Sequence, residues 1–440
     1  MVDINANPGD YVKISMMKKE YKGVLLETPK DEKGIVMLKL DSGYNIGIIR
    51  KEIREIKVLE KREEVKNDVK IKQDESKPNI AMVITGGTIA ARLNPRKGGV
   101  DWLDTPESLF KFYPGLFEKV NISKVEIPFM KASEDMDYKD WQKLARVVEK
   151  LLNDSSIKGV IITHGTDFLH YTSAALSFFL KDLNKPVVLT YSQKSIDRAS
   201  SDANLNLQCS ALVAISDIAE VMLVGHATNN DDYCYAMPGT KVRKMHTSRR
   251  DAFDVINSKP FAKVTPDYLQ IISLPIAVPA LPISHPKSKL HLNRTRSKGK
   301  VKLDLKFEEK VALVKIYPGQ DPDILDYYVK KKYKGIILEM SGLGHAPTMR
   351  ARKGWTQKLK EVQAKGLVVC ATAQTIHGRL DPMVYSNGRE LLGTGIIYLE
   401  DMLSETALVK LSWVLGHDDW NVKEKMLENI SHELNDRLED

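Results

Sequence analysis

Over the first sixty residues, apolar and polar positions alternate in short runs. DYVKISM, YKGVLLET, GIVMLKLDSG and YNIGIIRKEI are separated by Gly, Pro and Asp. A period of two over such short runs is the pattern of half-buried strands. It predicts a small β unit, a compact five-stranded barrel, over residues 1–60. The apolar signal then stops. KREEVKNDVKIKQDESKP, 61–78, is dominated by charge and ends in proline, the composition of a solvated linker.

From residue 79 the pattern changes to buried runs alternating with helical periodicity. NIAMVIT, 79–85, reads as a buried strand. In DYKDWQKLARVVEKLLND, 137–154, Trp141, Leu144, Val147, Val148, Leu151 and Leu152 fall on one helical face. Strands over 157–163, 185–192 and 220–228 alternate with helices over 168–181 and 205–216. That rhythm predicts a mostly parallel sheet covered on both faces across 79–275. A Pro-rich and then basic stretch, 276–305, reads as an interdomain connection, with HPKSKLHLNRTRSKGK as a solvated linker. The rhythm resumes in 306–440: strands over 311–316, 335–342 and 367–374, helices over 322–332 and 355–366. The predicted fold class is α/β, two parallel-sheet domains preceded by a small N-terminal β-barrel.

Composition narrows the function classes. The chain has 440 residues, 42% of them hydrophobic, enough for sizeable cores. No apolar run approaches the ~20 residues a membrane helix needs, and the N-terminus shows no apolar targeting segment. Cys209, Cys234 and Cys370 form no CxxC pair and read as buried thiols in a reducing compartment. A cytoplasmic protein is expected. The net charge of +8, with both signs interspersed, points weakly to a polyanionic partner. His164, His170, His226, His246, His345 and His377 show no metal-binding spacing, and there is no phosphate-binding GxxxxGK[ST] loop; no metal site is expected.

Two buried strands end abruptly in small polar residues: Thr85-Gly86-Gly87-Thr88 after the first, His164-Gly165-Thr166-Asp167 after the next. In open α/β sheets ligands bind beyond the carboxyl ends of strands. Glycines there let backbone approach a ligand, and free N–H groups suit a carboxylate or a developing oxyanion. Thr166 and Asp167 are equally the residue types that cap a helix N-terminus, and on these residues alone both readings stand.

TGGTIA and HGTD resemble the two signature motifs of the asparaginase/glutaminase amidohydrolase family. KASEDM, 131–136, resembles its substrate loop, and TKVRKMHTSRRDAF, 240–253, its lysine-containing stretch. The resemblance implies a catalytic set of Thr88, Thr166, Asp167 and Lys244, with Ser133, Glu134, Gly87 and Gly165 lining the substrate. A threonine hydroxyl needs a base to become a nucleophile. Lys244 serves as one if desolvation favours its neutral amine, while a close Asp167 pulls the other way; the sequence leaves that balance open. Family members carry a tyrosine in the loop after the first motif. Here that loop, ARLNPRKGGVDW (91–102), has none, and the first tyrosine beyond it is Tyr113.

The N-terminal unit, the linker and the segments SSDANLNLQCS, AEVMLVGHATNNDDYCY and GRELLGTGIIYLEDMLSETALVKLSWVLGH together resemble the archaeal glutamyl-tRNA(Gln) amidotransferase D subunits. That resemblance runs from NPGDYVKI to WVLGH. It implies a glutamine or asparagine hydrolase that releases ammonia to a partner, the amidotransferase E subunit. ATP and Mg²⁺ would be bound by that partner and none by this chain. Glu-tRNA(Gln) would be held mainly by the partner, in an assembly with two copies of each chain. A stand-alone L-asparaginase, and a partner- or tRNA-binding scaffold with a decayed amidase site, are the alternative readings. LEMSGLGHAPT, 338–348, reads as a structural or interface-forming strand end.

Overall fold

The computed structural model describes residues 6–28, 34–42, 44–61, 74–94, 99–102, 114–196, 198, 200–273 and 295–437. Most of the charged linker, the proline-rich stretch 274–294 and Tyr113 lie outside the described residues.

The alternating runs of the N-terminus form β1 (Tyr11–Met16), β2 (Glu20–Leu25), β3 (Ile35–Leu40), β4 (Asn45–Ile49) and β5 (Ile53–Glu60). They pair antiparallel in the order β4-β3-β2-β1-β5, so β4 and β5 are the edges. Their inward positions enclose Val12, Ile14, Leu25, Val36, Leu38, Ile48 and Ile53. Arg198 of the following domain donates to the Leu40 carbonyl at 2.5 Å and ties the unit to it.

The next domain runs β6 (Asn79–Ile84), β7 (Ala91–Asn94), β8 (Gly99–Trp102), β9 (Asn121–Glu126), α1 (Tyr138–Leu152), β10 (Val160–Thr163), α2 (Leu169–Phe179), β11 (Leu180–Lys181), β12 (Val187–Thr190), α3 (Ala203–Ala214) and β13 (Val221–His226). It continues with β14 (Cys234–Pro238), β15 (Val242–Lys244), β16 (Phe253–Val255), β17 (Ala262–Val264) and β18 (Leu269–Ile271). Eight strands form one sheet, β18-β17-β14-β13-β12-β10-β6-β9. From β9 to β13 it is parallel; β14, β17 and β18 extend it antiparallel. The central parallel strands are buried on both faces, as helix-covered sheets require. In β6, Ala81 and Val83 pack toward α1 and α2, while Ile80, Met82 and Ile84 pack toward α3.

The structure departs from the sequence expectation in more than the antiparallel extension of β14, β17 and β18. Residues 91–102 read as an open loop, yet β7 and β8 pair as a hairpin, Ala91 opposite Trp102. The polar edge strand β9 lacks an apolar period because only one end of it is buried. The basic stretch read as a solvated linker packs on this domain where it is described: Arg296 donates to the Ser216 carbonyl at 2.7 Å and the Ala214 carbonyl at 3.1 Å, closing the carboxyl end of α3. Nearby, β19 (Lys302–Leu303) pairs with β11.

The last domain comprises β20 (Val311–Lys315), α4 (Ile324–Lys330), β21 (Gly335–Met340), α5 (Thr356–Ala364), β22 (Val368–Ala373), α6 (Ser386–Leu392), β23 (Ile397–Tyr398), α7 (Ser404–Leu415) and α8 (Val422–Leu427). Its four strands are parallel, in the order β20-β21-β22-β23. Helix α7 packs between the two α/β domains, with Trp413 stacked on Phe178 of α2 at 5.5 Å. One apolar core therefore runs from α1 and α2 through α7 to Ile337 and Cys370.

Candidate active site

β6 and β10 are parallel neighbours with Ile84 opposite Thr163, so TGGT and HGTD begin at the same level of the sheet. The Thr85 hydroxyl donates to the Thr163 carbonyl at 2.7 Å, and the Lys131 amide donates to the Thr85 carbonyl at 2.9 Å. Gly86 and Gly87 have φ of 121° and 81°, where a side chain is strained. A Cβ on Gly87 would stand 2.5 Å from the Gly165 nitrogen, and one on Gly86 2.4 Å from the Lys131 carbonyl oxygen. A Cβ on Gly165 would meet the Ser133 nitrogen at 3.0 Å. Three segments far apart in sequence thus meet backbone to backbone, and the missing Cβ atoms are what let them.

His164 holds the second turn in place. Its Nδ1 lies 2.7 Å from the Gly165 carbonyl, which can only accept, so Nδ1 carries the proton and Nε2 accepts from the Thr172 hydroxyl at 3.0 Å. Burial lowers the imidazole to about 4, consistent with a neutral ring. Thr166 and Asp167 follow. Their side chains do not cap α2, whose N-terminus has no side-chain cap. They meet Lys244 instead: its Nζ is 2.8 Å from Thr166 Oγ1 and 2.6 Å from Asp167 Oδ1. The Lys244 side chain is 10% exposed and that of Asp167 60%, so the amine is largely withdrawn from water while the carboxylate keeps its hydration.

Ser133 is buried, accepts from the Phe168 amide at 3.3 Å, and donates to Glu134 at 3.2 Å. The exposed Glu134 stands beside it. Lys131 anchors this loop by donating to both oxygens of Asp140 at 2.9 Å, at the start of α1. Thr88 is half-buried and directly follows Gly87, opening a single 3₁₀ turn, Thr88–Ala90. Thr166, Asp167 and Lys244 therefore share hydrogen bonds, Gly87, Gly165 and Ser133 share backbone contacts, and Thr88 and Glu134 flank them.

Sequence reasoning missed a layer behind Lys244. Arg243 Nε lies 3.1 Å from Glu405 Oε1 of α7. Burial lowers His170 to about 3, with the Arg243 and Lys244 cations adding to the effect. Burial raises Tyr171 well above its ordinary value, with Glu405 contributing. Arg243 adjoins Lys244 in sequence and could have drawn notice; Glu405 lies in another domain and carries no local signal.

Comparison with known proteins agrees along the chain. Residues 6–59 match the family described as GatD N-terminal domain, 79–276 Asparaginase, N-terminal, and 310–426 Glutaminase/Asparaginase C-terminal domain. The chain is 45% identical to the D subunit of glutamyl-tRNA(Gln) amidotransferase from Pyrococcus furiosus, over 97% of this chain and 94% of that one. It is 39% identical to the D subunit from Methanothermobacter thermautotrophicus, over 98% and 94%. Among solved structures it is similar to the thermostable L-asparaginase from Thermococcus kodakarensis, with a TM-score of 0.67 and 27% identity, covering 82% of this chain and 100% of that one.

Proposed function

The chain belongs to the family of glutamyl-tRNA(Gln) amidotransferase D subunits, with an asparaginase-type amidohydrolase core, and from that premise we propose that it splits the side-chain amide of glutamine or asparagine through a threonine nucleophile and releases ammonia to a partner chain. The observation that carries this reading is the Thr166–Lys244–Asp167 contact at the Gly87–Gly165 crossing.

In the proposed reaction Ser133 and Glu134, with Asp167, hold the α-carboxylate and α-amino group of the substrate. Gly87 and Gly165 keep the backbone close enough for N–H groups near Thr88 and Thr166 to bind the developing oxyanion. A donor of this kind is worth ~10²–10³ in rate. A threonine oxygen, of Thr88 or Thr166, adds to the amide carbon as its proton leaves. If Thr88 attacks, Thr166 and the neutral amine of Lys244 relay that proton to the departing nitrogen; if Thr166 attacks, the Lys244 amine takes the proton directly and delivers it, and in either case the nitrogen leaves as ammonia. Water then hydrolyses the ester and restores the hydroxyl. Asp167 orients the Lys244 amine.

On this reading ATP and Mg²⁺ belong to the partner, the E subunit, which activates the glutamate of Glu-tRNA(Gln) and accepts the ammonia. Ammonia release from glutamine by the purified chain is expected to rise when the partner and Glu-tRNA(Gln) are added. An unchanged rate would leave the chain an independent amidohydrolase, the reading that the likeness to an L-asparaginase favours. A reactive glutamine analogue followed by mass spectrometry identifies the acylated threonine; no adduct on either would exclude the mechanism.

A further inference from the structure

Lys244 ends a strand that the main sheet does not hold. β15 has three residues and, among the described residues, pairs with β16 alone, outside the eight-stranded sheet. Besides the Lys244 contacts to Thr166 and Asp167, three of its anchors run to one place in the last domain. The Thr406 hydroxyl donates to the Thr240 carbonyl at 2.8 Å. Lys241 Nζ lies 2.6 Å from Asp401 Oδ2, both side chains being 1% exposed. Arg243 pairs with Glu405. The three residues reached, Asp401, Glu405 and Thr406, lie at or just before the first turn of α7. Thr240 and Arg243 are thus tied to the first turn of the helix that packs between the two α/β domains and Lys241 to the residue three before it, and the residue after Arg243 is Lys244.

We propose that Glu405 is a positioning residue for Lys244, acting through Arg243 across the junction between the two α/β domains. The proposal rests on the reading of Lys244 as the base. Adjacent strand residues point to opposite sides, so a tether on Arg243 fixes the rotation of the strand about its axis and with it the direction of the Lys244 side chain. Glu405 is well placed to hold it. Its carboxylate sits in the first turn of α7, where a helix favours negative charge. It is 7% exposed, and its Oε2 is buried with no hydrogen-bond partner among the described residues. Holding the carboxylate there has an electrostatic purpose if it balances a cation, and Arg243 is that cation. The charged and titratable groups around the pair are Asp167, His164, His170 and Tyr171 on or before α2, Lys244 next to Arg243 on β15, Glu339 on β21, Asp254 opposite Arg243 on β16, and Lys241 with Asp401.

With Glu405 made neutral, the Arg243 cation is uncompensated beside Lys244 and disfavours the ammonium. In Glu405→Gln, kcat for glutamine hydrolysis is expected to fall about tenfold with KM within about twofold. The midpoint of the rising limb of the pH–rate profile is expected to move about 0.5–1 unit lower. Glu405→Asp, which keeps the charge, should restore the limb. Arg243→Met combined with Glu405→Leu removes both charges while keeping apolar bulk. It should lose kcat with the limb near its parent position, and it decides the matter if Glu405→Gln does not fold. A folded Glu405→Gln with parent kcat, or with lower kcat and an unmoved limb, overturns the proposal; so does a double variant with parent kcat. Lys244→Ala run in parallel separates the two readings. If it remains active, the assignment of the base has failed; if it is dead while Glu405→Gln matches the parent, only the positioning role has.

Discussion

Lys244 is held by one hydroxyl and one carboxylate, and each contact can be removed singly. Thr166→Val deletes the hydroxyl and keeps the shape; Lys244→Ala deletes the amine. On the proposed mechanism each is expected to lower glutamine hydrolysis by about 10³-fold or more, because there an activated nucleophile and its base act as a unit; steady-state ammonia assays check this alongside circular dichroism. Gly87→Ala tests the backbone crossing. A methyl there meets the Gly165 nitrogen at 2.5 Å in a conformation with φ of 81°. A loss of stability of about 1–3 kcal/mol is expected from the strain, with activity falling much further as TGGT and HGTD are pushed apart. Chemical denaturation and rate measurements on the same variant compare the two.

His164 and His170 give a pH dependence at the same scale. Burial holds their folded-state values near 4 and 3, below the ordinary 6.5. The unfolded chain therefore binds protons that the folded chain refuses. Stability is fully present above about pH 6.5 and is lost as pH falls from there through the folded values. His164 alone accounts for a loss on the order of 3 kcal/mol at full protonation. Denaturation curves between pH 7 and pH 4 should show this decline, and His170→Gln should make it shallower.

Among the elements, α1 and α7 show how ends and buried charges are secured. α1 begins with a reciprocal cap: the Asp137 side chain accepts from the Lys139 amide at 2.8 Å, and Asp140 accepts from the Asp137 amide at 3.1 Å. Asp140 also holds Lys131, so the cap of α1 and the anchor of the Ser133 loop share one carboxylate. On α7, Lys410 meets Glu433 at 2.6 Å with both side chains 0% exposed. Burial lowers the Lys410 ammonium. Burial would raise Glu433, but Lys410 and the Ser431 amide carry it below the usual value. Removing one partner of a buried pair strands the other charge. Lys410→Met is expected to cost about 3–5 kcal/mol, read from urea unfolding. Adding Glu433→Leu should recover only part, because Glu433 also accepts the amides of Ile430 and Ser431.

At the scale of the whole molecule, the N-terminal unit has its own apolar core and docks through Arg198. The likeness to the Thermococcus kodakarensis L-asparaginase covers 82% of this chain and all of that one. A chain lacking residues 1–73 is expected to keep a cooperative unfolding transition and its basal glutaminase rate. The response to the proposed partner chain should weaken, as measured by co-purification and by ammonia release with that chain and Glu-tRNA(Gln) present. If the response is unchanged, the N-terminal unit has no part in the assembly.

The rhythm of buried strands and amphipathic helices was legible because the parallel sheet is covered on both faces, so strand burial shows as continuous apolar runs. The turns TGGT and HGTD were legible as strand ends because close backbone crossings need glycine. Pairing that depends on main-chain bonds left no such trace. The hairpin over 91–102, the edge strand Asn121–Glu126 and the antiparallel extension from Cys234 to Ile271 are set by partners, not by apolar period. Sequence alone thus determined the layers of this protein and the residue types at its strand ends. Tertiary structure decided that Lys244, 78 residues beyond Thr166, meets it at 2.8 Å, and that Glu405 of another domain holds the arginine beside it. Hydrogen bonds and ion pairs act over a few ångströms and carry no periodic signature along the chain, so only folding brings their partners into view.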